Sequence, residues 1–267
     1  MTALVSALPA DTMQRHPCFS EKAHALVGRV HLPVAPRCNI QCAYCERRVC
    51  ATDTMQHPGW AQRLLSPDEA VRLVDELAAT QGEEAFVVGV AGPGDPLANA
   101  QTFVALGHIH RAHPALTLCV STNGLLLEEC LPQLVETGVT ALTVTVNAAD
   151  GEAGQEIYAW VRHQGAIYHG REAAELLIAH QMRGVRAARL EAVLAKIKDG
   201  FANPTISAQG VAQELGVSVR YVHDLLQETG VSFSERVLEA RLRRVSAMLS
   251  DRRHAGLRIG EIALACG

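Results

Sequence analysis

Aromatic residues are scarce in this chain, at 4% of 267 positions with only two tryptophans. Its core must therefore be aliphatic, and with 48% of residues hydrophobic there is enough material to build one. No apolar run approaches the roughly 18–20 residues that cross a bilayer, so no membrane-spanning helix is expected. The first residues, "MTALVSALPADTMQRHPC", place no basic flank ahead of their short apolar patch, which argues against a secretory signal. That reading puts the chain in the cytoplasm, where thiols stay reduced. Gly/Ser-rich linkers, low-complexity tracts and internal repeats are missing as well.

Charge is unevenly spread. Met1 to Gly184 carries 12 Lys and Arg against 19 Asp and Glu, a balance of −7; Val185 to Gly267 carries 12 against 9, a balance of +3; together they give the chain's −4. An acidic body followed by a basic end implies two domains with different partners. Of the eight cysteines, four fall in the fourteen residues "RCNIQCAYCERRVC", Arg37 to Cys50. In a reducing compartment such clusters point to metal or redox chemistry ahead of disulfides.

Strand and helix patterns alternate from about Ala23 to Asn147. "HALVGRVHLPVAP" reads as a strand that feeds the cysteine loop. In "SPDEAVRLVDELAATQ" Ser66 is an N-cap, Pro67 opens the helix and Glu69 completes a capping box, with Ala70, Val71, Val74, Leu77 and Ala78 on one face. "AFVVGVAG", "ALTLCVSTNG" and "VTALTVTVN" read as buried parallel strands, separated by helices at "AQTFVALGHIHRAH" and "LLLEECLPQLVETG", the latter with Gly138 at its C-terminal end. This order predicts an α/β fold with a parallel sheet and right-handed crossovers. Ligands in such sheets bind beyond the carboxyl ends of the strands. The cysteines, "AGPGDPL", "STNG" and the end of "LTVTVN" all fall there.

From about Val185 only helical patterns remain, and the boundary is expected between Arg171 and Leu194. "ISAQGVAQELGVSVRYVHDLL" predicts two helices joined at Gly216, the second capped by Ser218. Val211, Ala212, Leu215, Val217, Val222 and Leu225 would form their shared core, and Arg220, Tyr221, His223 and Asp224 would face outward.

Cys38, Cys42 and Cys45 follow C-x3-C-x2-C. Structural zinc sites favour four ligands in separated C-x2-C pairs. Three close thiolates on one loop suit three irons of a four-iron cube, whose fourth iron stays open. With Tyr44 just before the third cysteine, the motif resembles that of the radical S-adenosylmethionine (radical SAM) superfamily. The resemblance implies a [4Fe–4S] cluster whose open iron chelates SAM and whose electron breaks a carbon–sulfur bond to give a 5′-deoxyadenosyl radical.

Over His16 to Gly184, "HPCFSEKAH", "RVHLPVAPRCNIQCAYCERRVC", "VVGVAGPGDPLAN", "LCVSTNGLLL", "VTALTVTVN" and "IYAWVRHQGAIYHGREAAELLIAHQMRG" resemble the NifB family of nitrogenase iron–molybdenum cofactor biosynthesis. That family joins two four-iron clusters into an eight-iron carbide cluster, with SAM supplying the carbon. The resemblance implies that Cys38, Cys42 and Cys45 hold the SAM cluster and that Tyr44, Gly92, Asn123 and Thr145 lie against SAM. It implies that His16, Cys18, Cys50 and Cys119 serve additional [4Fe–4S] clusters bound as substrates, without saying which serves which. Expected partners are an iron–sulfur cluster donor and nitrogenase cofactor assembly proteins. Read bottom-up, Cys119 in its apolar strand is also a plain core residue, and Cys130 is packing. About four βα units are found where such a core has about six, so a partial barrel is expected.

Residues 185–267 resemble the helix-turn-helix domain of AraC-type transcription regulators. That implies DNA as a partner, with Arg220, Tyr221, His223 and Asp224 on the reading helix and "ARLRRVSAMLSDRR" adding charge toward phosphates. "IGEIALACG" matches the first helix of that family's second unit, which makes Cys266 a core residue. The expected organisation is thus a tail over 1–15, a NifB-like domain over 16–184 and an AraC-like domain over 185–267, both domains incomplete. Two incomplete matches are also what a fused, shortened reading frame would give.

Overall fold

A computed structural model describes residues 2–6, 16–49, 60–254 and 256–267. Strand β1 (Thr2–Ser6) is followed by the short helix α1 (Glu21–His24), β2 (Gly28–His31), β3 (Ile40–Cys42), β4 (Arg48–Val49) and β5 (Trp60–Ala61). Helix α2 (Pro67–Gln81) then alternates with β6 (Phe86–Val90), α3 (Ala100–Ala112), β7 (Leu118–Thr122), α4 (Leu127–Glu136) and β8 (Val139–Thr145). After the one-turn α5 (Gly151–Gly154) come β9 (Tyr158–His163), β10 (Ala166–Tyr168) and the 31-residue helix α6 (Gly170–Gly200). Helices α7 (Ala208–Glu214), α8 (Val219–Gln227), α9 (Phe233–Ser250) and α10 (Ile259–Cys266) complete the order.

The main sheet runs β1-β8-β7-β6-β2. Its three inner pairings put β2, β6, β7 and β8 parallel, as the alternating pattern predicts, while β1 adds antiparallel to β8. Sequence reading leaves residues 1–15 as a tail; in the structure the backbone of Thr2–Ser6 instead covers the open edge of β8. An exposed edge is a row of unpaired N–H and C=O groups, which such a strand satisfies.

Every residue of β6 is buried. Val88 and Val90 lie in one core with Leu118, Val120, Leu142 and Val144 of the neighbouring strands and Ala70, Val74, Leu106 and Ile109 of the helices. Each large aliphatic buried this way contributes roughly 1.5–3 kcal/mol. Helix α2 starts where the sequence predicts. The Ser66 side chain accepts from the Glu69 N–H, and the Glu69 side chain accepts from the Ser66 N–H at 2.8 Å.

A second sheet, β10-β9-β3, is not anticipated by the sequence patterns. Its hairpin turns at Gln164 and Gly165, with φ of 49° and 82°. A two-residue turn with both φ positive matches strand twist, and glycine is suited to it. This sheet carries Cys42 on β3, against Tyr158 of β9.

The chain divides into two compact units, 1–188 and 189–267. The second is helical throughout its described residues. Its core joins Ala192, Val193 and Ile197 of α6 to Val211, Ala212, Leu215, Val222, Leu225 and Leu226 of α7 and α8, with Val217 packed against it. Gly216, at φ +63°, makes the turn between α7 and α8, a conformation that costs a residue with a Cβ. The Ser218 side chain caps α8 by accepting from the Tyr221 N–H at 3.1 Å. No helix among the described residues is long and apolar enough to cross a membrane.

Candidate metal centre

The segment after β2 crosses the sheet edge on buried Leu32, Val34 and Ala35 and delivers Cys38, Cys42 and Cys45, all half-buried and none in a disulfide. Local bonds shape the loop. The Cys45 N–H donates to the Cys42 carbonyl at 3.1 Å. Gln41 Nε2 donates to the carbonyls of Cys42 and Cys45 at 2.9 and 3.0 Å. The Arg47 guanidinium donates to the Ile40 carbonyl and to the Gln41 side chain.

Burial pushes the Cys42 thiol up to about 11, and the neighbouring Cys38 and Cys45 push the same way. Cys38 is raised by burial first and then by Asp95. Thiolates crowded like this repel one another, and a bound cationic centre reverses the balance because ligation requires the deprotonated form. Among the described residues no three His, Cys, Asp or Glu side chains converge on one ion. A cube asks for something different, because each of its irons takes one thiolate. The donor set, three soft sulfurs on one half-buried loop, fits that group.

The loops facing the triplet are pinned by buried polar side chains. Asp95, 4% exposed, accepts from Thr122 Oγ1 at 2.8 Å, from the Asn123 N–H at 2.6 Å and from the Leu97 N–H at 3.0 Å. Burial raises its pKa against the pull of those bonds. Asn99, also buried, donates through Nδ2 to the carbonyls of Arg37 and Asp95, both at 2.7 Å, and accepts from the Arg37 N–H. Asn123 Nδ2 donates to Asn39 Oδ1 at 2.7 Å and lies 3.8 Å from Cys38 Sγ. Gly94 comes so close to the first loop that a Cβ there would fall on the Arg37 carbonyl and 2.8 Å from that of Ala35.

Asp95 and Asn99 are missed by sequence reasoning, which singles out Gly92 alone in "AGPGDPL". The available signal is Asp before Pro, an N-cap for the single turn Pro96–Ala98. Gly92 is half-buried on the same loop. Thr145 ends β8, and Asn147 just beyond it donates to the Tyr44 hydroxyl at 2.6 Å. Tyr44 is itself exposed; desolvation and then Cys42 push its hydroxyl up to about 12. Gln181 of α6, also missed, donates to the carbonyls of Asn123 and Thr145.

A second group forms around Arg29. His16 is buried at 1% exposure, stacked on Phe19 with ring centroids 4.3 Å apart. Its Nδ1 accepts from the Cys18 N–H at 3.1 Å, while its Nε2 is buried without a hydrogen-bond partner among the described residues. Burial, aided by Arg29, lowers its pKa to about 4, so the ring is neutral at pH 7 and can offer a lone pair. Cys18 is exposed, with Arg29 Nη1 3.7 Å from its Sγ. Burial pushes Cys119 up to about 12, and Cys18 adds to the shift while Arg29 opposes it. Cys119 Sγ fills the place beside Gly89, 2.6 Å from where a Cβ would stand. His16, Cys18 and Cys119 thus each lie near Arg29; Cys50 lies outside the described residues. Cys130 packs against the main core. Cys266 is buried with Met248 and Ile262.

In the helical unit Arg220, His223 and Asp224 are exposed on α8, with Arg220 and Asp224 3.9 Å apart. Tyr221 departs from the expectation that it faces outward. It is half-buried, packed against the apolar core that α6, α7 and α8 share.

A family model described as the radical SAM superfamily matches residues 32–185, more than half of the chain. The chain is 43% identical over 227 residues to the FeMo cofactor biosynthesis protein NifB of Klebsiella pneumoniae, covering 83% of this chain and 48% of that protein. It is 43% identical over 187 residues to the protein of that name from Chlorobaculum tepidum, covering 69% and 43%. For the one from Methanocaldococcus jannaschii the figures are 43% over 182 residues, covering 68% and 60%. The chain therefore spans about half the length of these relatives.

Proposed function

Because this chain belongs to the radical SAM superfamily, we propose that it is an iron–sulfur, SAM-binding protein of nitrogenase iron–molybdenum cofactor biosynthesis. The observation that carries this is the half-buried thiol triplet, with the strand-end loops pinned against it by Asp95, Asn99 and Asn123. Cys38, Cys42 and Cys45 would hold a [4Fe–4S] cluster with one corner open. When bound, that cluster supplies an electron for cleaving a carbon–sulfur bond of SAM. The chain's own part is to place SAM: the Gly92 backbone, Asn123 and Thr145 form the facing rim, and Tyr44 is held over it by Asn147.

His16, Cys18 and Cys119, with Cys50, would receive the four-iron clusters that are substrates for SAM-dependent carbide insertion and cluster fusion. The buried His16 Nε2, which has no hydrogen-bond partner among the described residues, and the free thiols of Cys18 and Cys119 support this role. An iron–sulfur cluster donor and nitrogenase cofactor assembly proteins are the partners this reading requires. It is tested by anaerobic reconstitution with iron and sulfide. More than four irons per chain, of which about four are lost in Cys42→Ala, together with 5′-deoxyadenosine release on reduction with SAM, is the expected result. Absence of a four-iron chromophore, or an unchanged one in Cys42→Ala, would sink it.

A second reading concerns residues 185–267. The α7–Gly216–α8 arrangement, with Arg220 and His223 exposed on the second helix, supports an AraC-type DNA-binding role for this unit. Such a helix enters a major groove, with cationic side chains also serving phosphates. Salt-dependent binding to one duplex over others, weakened by Arg220→Ala, is expected; equal binding to all duplexes would remove this reading.

A further inference from the structure

Gln181 of α6 is fully buried, at 0% exposure. Burying a carboxamide costs free energy unless its hydrogen bonds are made. Its Nε2 donates to the Asn123 carbonyl at 2.7 Å and to the Thr145 carbonyl at 3.0 Å. These two carbonyls lie at the carboxyl ends of neighbouring strands, just past β7 and at the last residue of β8. The ladder between β7 and β8 ends at the pair Thr122 and Val144, so Asn123 and Thr145 are the first residues beyond it. One carboxamide from a third element therefore takes over where the ladder stops.

The space for it is kept by Gly124, at φ +83°. A Cβ there would lie 2.7 Å from Val144 Cγ1 and 3.1 Å from Gln181 Cγ. Asn123 is consequently held at both backbone ends, its N–H by Asp95 and its carbonyl by Gln181. Its side chain reaches Asn39 and approaches Cys38. A shift of the Asn123 backbone would move the facing rim relative to the thiol loop. The thiol loop itself is held by bonds from Gln41, Arg47 and Asn99, none of which involves Gln181.

Resting on the reading that SAM binds on this rim, we propose that Gln181 is a positioning residue for SAM: it fixes Asn123 and Thr145 at one spacing and leaves the cluster's ligands untouched. Gln181→Met keeps the volume and removes both donated bonds. It should bind SAM about ten- to a hundredfold more weakly, as expected for two buried bonds lost. Iron and sulfide content and the visible spectrum should stay unchanged.

Gln181→Glu is nearly isosteric and gives a second readout. A protonated carboxyl can donate to one of the two carbonyls, and an ionised one cannot. Its SAM affinity should recover as pH falls, relative to the unaltered protein at each pH, which a merely space-filling role would not produce. If Gln181→Met fails to fold, this pH profile decides.

Equilibrium binding of SAM to the anaerobically reconstituted chain, with the EPR spectrum of the reduced cluster read with and without SAM, separates the outcomes. An unaltered protein that carries a four-iron cluster but binds no SAM overturns the functional reading and this inference with it. An unaltered protein that binds SAM, beside a Gln181→Met variant that binds it equally well, overturns the positioning role alone. So does a Gln181→Glu variant that tracks the unaltered protein at every pH. Loss of the cluster together with SAM binding in both variants would assign Gln181 a general structural role and overturn the proposal.

Discussion

In the helical unit Ser207, Ser218 and Ser232 each cap a helix by accepting from an N–H three residues ahead. Around Cys38 the bonds that fix the loops reach much further along the chain: Asp95 to Asn123 across 28 residues, Arg37 to Asn99 across 62, and Asn39 to Asn123 across 84. Both regions bury an aliphatic core, so hydrophobic burial does not distinguish them. The difference lies in burial of the polar side chains: Asp95 and Asn99 are buried, whereas a long-range bond of the helical unit, Arg241 to the Phe201 carbonyl, comes from a half-exposed side chain. Local caps set the ends of single helices, whereas long-range buried bonds set the distance between loops. The second kind is what a site assembled from several strand ends needs.

The largest break in this contrast is Asp95→Ala. It leaves the Thr122 hydroxyl and the N–H groups of Asn123 and Leu97 without their acceptor, at a cost of about 4 kcal/mol to the first unit. Chemical denaturation followed by a probe in each unit should show the first unit weakened and the second unchanged. Gly94→Ala comes next. Its Cβ would meet backbone carbonyls that cannot swing aside, so about 3 kcal/mol is expected, with weaker cluster retention, since the thiol loop must move. Thermal melts and iron content read this together.

Ser218→Ala sharpens the contrast from the other side. Loss of one cap should cost about 1 kcal/mol, confined to the second unit, with iron content unaffected. Amide exchange at α8 would show it.

The smallest effect concerns His113, which bridges Asp75 at 2.7 Å and Glu83 at 2.6 Å and ties α2 to the end of α3. Hydrogen bonds to Asp75 and then Glu83 raise its pKa above the usual 6.5. A raised folded-state pKa means the protonated ring stabilises the fold. The contribution is fully present below about pH 6.5 and is lost as pH rises through the higher folded value. Against His113→Gln, the unaltered protein should hold a stability advantage at pH 6 that shrinks toward pH 9. An advantage independent of pH would show that the bridge does not act through charge.

What was legible in the sequence follows the same division. Ser66, Pro67 and Glu69 announce α2, Ser218 and Gly216 announce the turn into α8, and the apolar runs of β6, β7 and β8 announce the parallel sheet. All are signals read within a few residues. The thiol triplet is legible because its three cysteines are close in sequence. The β9–β10 hairpin was within reach too, through Gln164-Gly165, but its strands are short and only partly alternating. Asp95, Asn99 and Gln181 were not legible. Each is one polar residue whose partner lies tens of residues away, and a turn or a helix face explains it equally well until the fold is known. Tyr221 shows the same limit in reverse, since an aromatic expected outside is partly drawn into the core.

In the proposed function Cys38, Cys42 and Cys45 would form one cluster site against the rim that Asp95 and Asn123 hold in place. Mössbauer spectroscopy of the chain loaded with iron-57 and sulfide under anaerobic conditions tests it most directly. A four-iron cubane spectrum in which one iron changes on adding SAM is the predicted result. A spectrum without a cubane, or a cubane whose four irons are all indifferent to SAM, would contradict it.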